Sequence, residues 1–190
     1  MSREQIEQGL EALGRVARDS VALSPQVAKL AKRYADVLRS GGTLFFCGNG
    51  GSAADAQHLA AEYVIRYSGN RRALAAVALT ADSSILTAAG NDLGFEQVFA
   101  RQVEALCRPG DLLILHSTSG QSVNLLAAAR AAKSRGVPVA AWLGKGGGPL
   151  AELVDEAVIV SSSVTSLVQL MHMALEHLVV EVVERELFAS

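Results

Sequence analysis

Apolar residues first recur at helical spacing, and the pattern then changes to short unbroken runs. Over residues 3–19, Ile6, Leu10, Leu13, Val16 and Ala17 share one helical face. Over 24–39 the stripe is Val27, Leu30, Ala31, Tyr34 and Leu38; Ser24-Pro25 opens this second helix and Gly41-Gly42 closes it. From there strands at 43–47, 75–79, 111–116, 138–143 and 157–160 alternate with helices at 52–67, 83–89, 95–106 and 122–135. A long helix at 164–187 ends the chain. Turns are expected at Gly90-Asn91-Asp92, Pro109-Gly110 and the glycine-rich 144–149 segment, the last as a rim loop. The strands are apolar without alternation, as parallel strands covered on both faces must be. The rhythm predicts an α/β fold: a three-layer, doubly wound, five-stranded parallel sheet of flavodoxin-like order 2-1-3-4-5. Residues 1–40 form an N-terminal helical extension suited to oligomer packing, and 41–190 form the sheet domain.

Composition narrows the function classes. Half of the 190 residues are hydrophobic and only 19% are charged, enough apolar material for a core and too much for disorder. The net charge is −2 with no basic block, which argues against nucleic-acid binding through a charged face. The polar N-terminus does not read as a signal peptide. The apolar stretch around 175–183 is broken by Glu176, His177 and Glu181, so no membrane span is expected. Cys47 and Cys107 offer no disulfide framework and fit a reducing cytoplasm, as core or near-surface thiols.

Two turns stand out. Gly48-Asn49-Gly50-Gly51-Ser52 follows the first strand, and Ser117-Thr118-Ser119-Gly120-Gln121-Ser122 follows the third. In a 2-1-3-4-5 sheet those strands are neighbours at the topological switch point. Each turn offers backbone N–H groups at a helix N-terminus, a ready anion site. Four hydroxyls in six residues exceed what a helix cap needs, so the second turn reads as a neutral phosphate cradle built from Ser117, Thr118, Ser119 and Ser122. Neither the P-loop nor the dinucleotide fingerprint is present.

His58 and Glu62 stand four apart on the helix that leaves the first turn, so they share a face. That spacing suits a surface ion pair, and equally two ligands of one metal. The last helix carries Gln169, His172, Glu176 and His177. Spacing favours His172/Glu176 as a pair and leaves Gln169/His177 about 12 Å apart along the axis, so it does not choose between them. Asn91-Asp92 reads by default as a self-stabilised turn that could also contact a substrate hydroxyl.

Five segments in order, CGNGGSAADAQHLAAEY (47–63), AGNDLGF (89–95), STSGQS (117–122), GKGGG (144–148) and VQLMHMALEH (168–177), resemble the phosphoheptose isomerases of the sugar isomerase (SIS) fold. The resemblance runs from about residue 40 to 186. It implies an aldose–ketose isomerase interconverting sedoheptulose 7-phosphate and D-glycero-D-manno-heptose 7-phosphate, towards heptose for lipopolysaccharide. It further implies a cytoplasmic homotetramer with one zinc per subunit, ligated by His58, Glu62, Gln169 and His177. By the same resemblance, Glu62 is the base and His177 its acid/base partner. Asn49, Gly50, Gly51, Ser52, Glu62, Asn91, Asp92 and Gln169 bind the sugar, and Ser117, Thr118, Ser119 and Ser122 the phosphate. Family members usually carry Asp-Arg-Ile-Gln where this chain has Ser166-Leu167-Val168-Gln169. A non-catalytic regulator of the same fold, of the replication-initiator-associating type, lacks the glutamate in the helix corresponding to that of Glu62. An isomerase acting on another sugar phosphate is the remaining alternative.

Overall fold

The computed structural model describes residues 2–188. Its elements are α1 (Arg3–Asp19), α2 (Ser24–Arg39), β1 (Leu44–Gly48), α3 (Gly51–Val64), β2 (Ala76–Ala78), α4 (Ser83–Asp92), α5 (Ala100–Leu106), β3 (Leu112–Ser117), α6 (Val123–Ser134), β4 (Val139–Leu143), α7 (Gly148–Leu153), β5 (Glu156–Ile159) and α8 (Thr165–Phe188). All five strands are parallel, in the order β2-β1-β3-β4-β5. The expected order therefore holds. The register sets Gly48 beside His116 and Phe46 beside Ile114, so the β1 and β3 turns leave the carboxyl end of the sheet together.

Alternating sides of each strand feed two cores. On one face Phe46, Ile114 and Trp142 pack with α2, α3 and α8. On the other Phe45, Cys47, Leu113 and Leu115 pack with α5 and α6. Both cysteines are buried, and burial pushes the Cys107 thiol up to about 12. Helix α2 is integral to the first core: Tyr34 is buried, and the Trp142 indole N–H donates to its hydroxyl at 3.2 Å. Helix α1 leaves Ile6 and Leu10 in solvent. Helix α8 is long and apolar enough to cross a membrane by length and composition, but it serves as a core helix here, with Val168, Met171, Leu175, Val179 and Val183 turned inward.

Three local expectations are corrected. Gly90-Asn91-Asp92 is no turn but the last part of α4, because one glycine weakens a helix without stopping it. The 95–106 helix is broken, with a 3₁₀ turn at Phe95–Gln97 before α5. The 144–148 segment is packed rather than a free rim. A Cβ on Gly120, at φ +64°, would fall 1.7 Å from the Gly147 carbonyl oxygen, and the Leu150 N–H donates to Gly120 O at 3.1 Å. The six-residue helix α7 follows at once.

Candidate active site

Helices α3 and α8 run side by side in the same direction, and their contacts climb in step. Gln169 lies against Gly51 and Asp55, His177 against His58, and Glu184 against Tyr67. The approach at the first rung is close: with Gln169 as it lies, a Cβ on Gly51 would sit 1.9 Å from its Nε2.

At the second rung, His58 Nε2 is 3.0 Å from His177 Nε2 and 3.2 Å from Glu62 Oε1. One donor atom from each of the three residues lies within 4.8 Å of the others. Donors at zinc's usual 2.0–2.1 Å in a tetrahedron are about 3.3 Å apart, so this nitrogen and oxygen set fits a zinc-sized ion. Gln169 stands eight residues before His177 on α8, beside Gly51 and Asp55. Tyr67 stacks on the His177 ring, with centroids 5.5 Å apart and planes 24° from parallel.

The third rung anchors this arrangement. Glu184 accepts from the N–H groups of Tyr67, Ser68 and Gly69, from the Ser68 hydroxyl, and from Arg71 Nε at 2.7 Å. Arg71 in turn donates to the Glu62 and Tyr63 carbonyls at the C-terminal end of α3. Burial pushes the Glu184 carboxyl up, but these donors outweigh it and hold it down at about 2. The loop carrying Tyr67 is thus fixed to α8 and to the helix that bears Glu62.

The two turns meet at the carboxyl end of the sheet. Gly50 caps α3 with φ +57°, a backbone conformation that favours glycine. Asn49 and Asn124 exchange two amide hydrogen bonds, at 2.9 and 2.8 Å, and so tie the first turn to the first turn of α6. Within the second turn, Gly120 N–H donates to Ser117 Oγ at 2.9 Å and Gln121 N–H to Ser119 Oγ at 3.3 Å. Ser122 is the N-cap of α6, yet its side chain makes no cap bond. Ser52 is buried in the first turn of α3, and Thr118 is half-buried.

Asn91 and Asp92 are not brought to this cluster within the chain. They are exposed on α4 and bond to each other at 2.6 Å. The open choice on α8 resolves towards His177. His172 is fully buried and donates to the Leu143 carbonyl at 3.0 Å, and burial pulls its pKa down to about 4, so it is a neutral core residue. Glu176 does not pair with His172. It pairs with His116, which sequence alone places as a strand-end residue, and His116 Nε2 lies 2.9 Å from both Glu176 oxygens. Burial pushes the Glu176 carboxyl up and His116 opposes it; for His116, burial pulls down and Glu176 overcomes it. Tyr67, Asn124, His116 and Glu184 were invisible to motif reading. Only His116 carries a sequence signal, a polar residue inside an otherwise apolar strand.

Two hydroxyl- and glycine-rich turns beside a His58, Glu62 and His177 cluster thus stand on a five-stranded parallel sheet, and comparison with known proteins agrees with that fold. The SIS domain family model matches residues 10–144. A phosphoheptose isomerase of Roseiflexus sp. (strain RS-1) is 51% identical over 165 residues, covering 87% of this chain and 84% of that one. Among solved structures, the phosphoheptose isomerase of Neisseria gonorrhoeae superposes with a TM-score of 0.90 at 38% identity, over 96% of this chain and 98% of that chain. That of Francisella tularensis gives 0.94 at 33% identity, over 97% and 99%. The fold and the site define an enzyme of the SIS-domain class, a sugar-phosphate isomerase. The chain belongs to the phosphoheptose isomerase family.

Proposed function

We propose that this enzyme interconverts sedoheptulose 7-phosphate and D-glycero-D-manno-heptose 7-phosphate through an enediol. The observation that carries the reading is the convergence of His58, Glu62 and His177 within 4.8 Å on two helices that start from the cradle end of the sheet. From Gly51 to His58 is seven residues, about 10 Å of helix, on the scale of an extended seven-carbon sugar phosphate. The phosphate would rest on Ser117, Thr118, Ser119 and Ser122 at the N-terminus of α6, where hydroxyls, backbone N–H groups and the helix dipole favour an anion. The reacting carbons would then lie at the histidine rung. Asn49, Gly50, Gly51, Ser52 and Gln169 line the path between. Asn91 and Asp92 reach a substrate only if a neighbouring copy presents them, which accords with a homotetramer.

The chemistry follows from the residue types. The Glu62 carboxylate takes a proton from C1 of the ketose as the C1–C2 enediol forms, and returns it to C2 to give the aldose. His177 moves the hydroxyl proton from O1 to O2. C1 is oxidised and C2 reduced, so no outside electron carrier is needed. Glu62 turns Oε1 towards His58, which leaves Oε2 for the carbon-bound proton. One zinc per subunit would be held by His58, Glu62, Gln169 and His177, and when bound it supplies Lewis-acid polarisation of the carbonyl. Tyr67 and the Glu184–Arg71 node keep His177 and Glu62 facing each other. Soluble cytoplasmic action on a precursor of lipopolysaccharide heptose completes the reading.

A regulator of the same fold needs phosphosugar binding but no base. The presence of Glu62 beside His177 favours the enzyme. The test is incubation of the purified protein with sedoheptulose 7-phosphate followed by NMR. Appearance of the aldose phosphate supports the reading. Absence of product from this and other ketose phosphates, with binding retained, favours the regulator.

A further inference from the structure

Beneath the site, a side chain of β3 meets one of α8, with a carboxyl of α3 in electrostatic reach. His116 is the β3 residue immediately before Ser117 of the cradle, and Glu176 is the α8 residue immediately before His177. Both are buried, at 0% and 1% exposure, and they bond at 2.9 Å across 60 residues of chain. His116 lies in register with Gly48 on one side and Trp142 on the other, and it stacks on Phe46 with centroids 6.1 Å apart. Asp55 of α3 stands within electrostatic reach of both His116 and His58, beside Gln169. Its Oδ2 is buried without a hydrogen-bond partner.

Such a pair is a poor device for stability alone. Taking two ionisable groups out of water is costly, and well-packed apolar residues of similar volume are often as stabilising or more so. What the pair provides that apolar side chains do not is direction. A short bond to both carboxylate oxygens fixes the rotation and height of α8 at the turn before His177, relative to the strand that ends in the cradle.

We propose that His116 and Glu176 are positioning residues: their bond sets the distance between the phosphate cradle and His177, and so aligns His177 with His58 and Glu62. Neither touches substrate or metal. The turnover consequence rests on the isomerase reading above, whereas the alignment consequence does not.

The test compares two variants of the full-length protein with wild type. In His116→Met/Glu176→Met the volume is kept and the bond removed. Thermal unfolding is expected at or above the wild-type temperature. Zinc affinity, read by competition with a chromophoric chelator, is expected to fall at least tenfold. kcat is expected to fall at least tenfold, with KM changed less than threefold because the cradle itself is intact. In Glu176→Gln an acceptor for His116 remains, and both readouts are expected within threefold of wild type. Wild-type zinc affinity and kcat in the folded double variant would overturn the proposal. So would a Glu176→Gln protein as impaired as the double variant, and this arm decides alone if the double variant does not fold. A wild-type protein that binds zinc but turns over no sugar phosphate rejects the isomerase reading and leaves the zinc comparison to judge the positioning role.

Discussion

His58 and His177 point their Nε2 atoms at each other across 3.0 Å, although 119 residues separate them in the chain. With Glu62 Oε1 3.2 Å from His58 Nε2, the gap is framed by two imidazoles and a carboxylate. Two ring nitrogens this close are satisfied either by one shared proton or by a cation between them. Zinc is expected to bind with one ion per chain. His58→Ala or His177→Ala is expected to weaken it at least a hundredfold, since each removes a ligand rather than an outer-shell support. Chelator treatment is expected to lower turnover, with recovery on adding zinc. Isothermal titration checks the stoichiometry, and an unaltered affinity in both variants would remove the metal site.

Glu62→Gln keeps the volume of the side chain and the Glu62 carbonyl that Arg71 caps at 2.7 Å. The fold should therefore survive. Turnover should fall by roughly 10²–10⁴, the usual contribution of a general base, and more if the metal is lost with it. The measurement is kcat by NMR or coupled assay beside a circular dichroism melt. Turnover within threefold of wild type would exclude Glu62 as the base.

Much of this was legible in the sequence, for reasons that particular residues make plain. Parallel strands covered on both faces leave unbroken runs such as Leu112–Ser117, and the two turns at the switch point announce the site. Helical spacing put His58 with Glu62. It could not choose between His172 and His177, because that depends on which face of α8 meets β4 and which meets α3. Long-range polar pairs were illegible in principle. Asn49–Asn124 is 75 residues apart and His116–Glu176 is 60, and nothing local to either residue marks its partner. Gly90 misled because a helix tolerates an isolated glycine at a cost of about 1 kcal/mol. The glycine run before α7 hid a helix too short to show a period.

Gly51 gives a prediction that separates stability from function. It occupies the first turn of α3, where alanine is the better helix former by about 1 kcal/mol. The added methyl would meet the amide of Gln169 at 1.9 Å, and that flexible side chain can swing away. Gly51→Ala is therefore expected to melt at or slightly above the wild-type temperature. Its kcat/KM should fall at least tenfold, because Gln169 is displaced from the path between cradle and histidines. A variant that is both less stable and fully active would contradict the placement of Gln169.

The buried His172 sets the first acid limit on the fold. Its pKa of about 4 in the folded chain lies below the ordinary 6.5, because burial disfavours the charged ring. Between those two values the unfolded chain binds a proton that the folded chain does not, so stability falls as pH drops from 6.5 to 4. The loss attached to this one group is on the order of 3 kcal/mol. Glu184 acts lower down. Its folded pKa of about 2 lies below the ordinary 4.5, so its stabilising contribution is complete above 4.5 and is lost as pH falls towards 2. His172→Gln keeps a donor for the Leu143 carbonyl and does not titrate. Urea midpoints measured at half-unit steps should therefore fall relative to the variant's between pH 6.5 and 4.5 in the wild type, the raised Glu176 and Asp55 carboxyls acting alike in both proteins. Both should then decline below 4.5, where the Glu184 contribution is withdrawn in each. An identical slope in the two proteins above pH 4.5 would show that another group controls the limb.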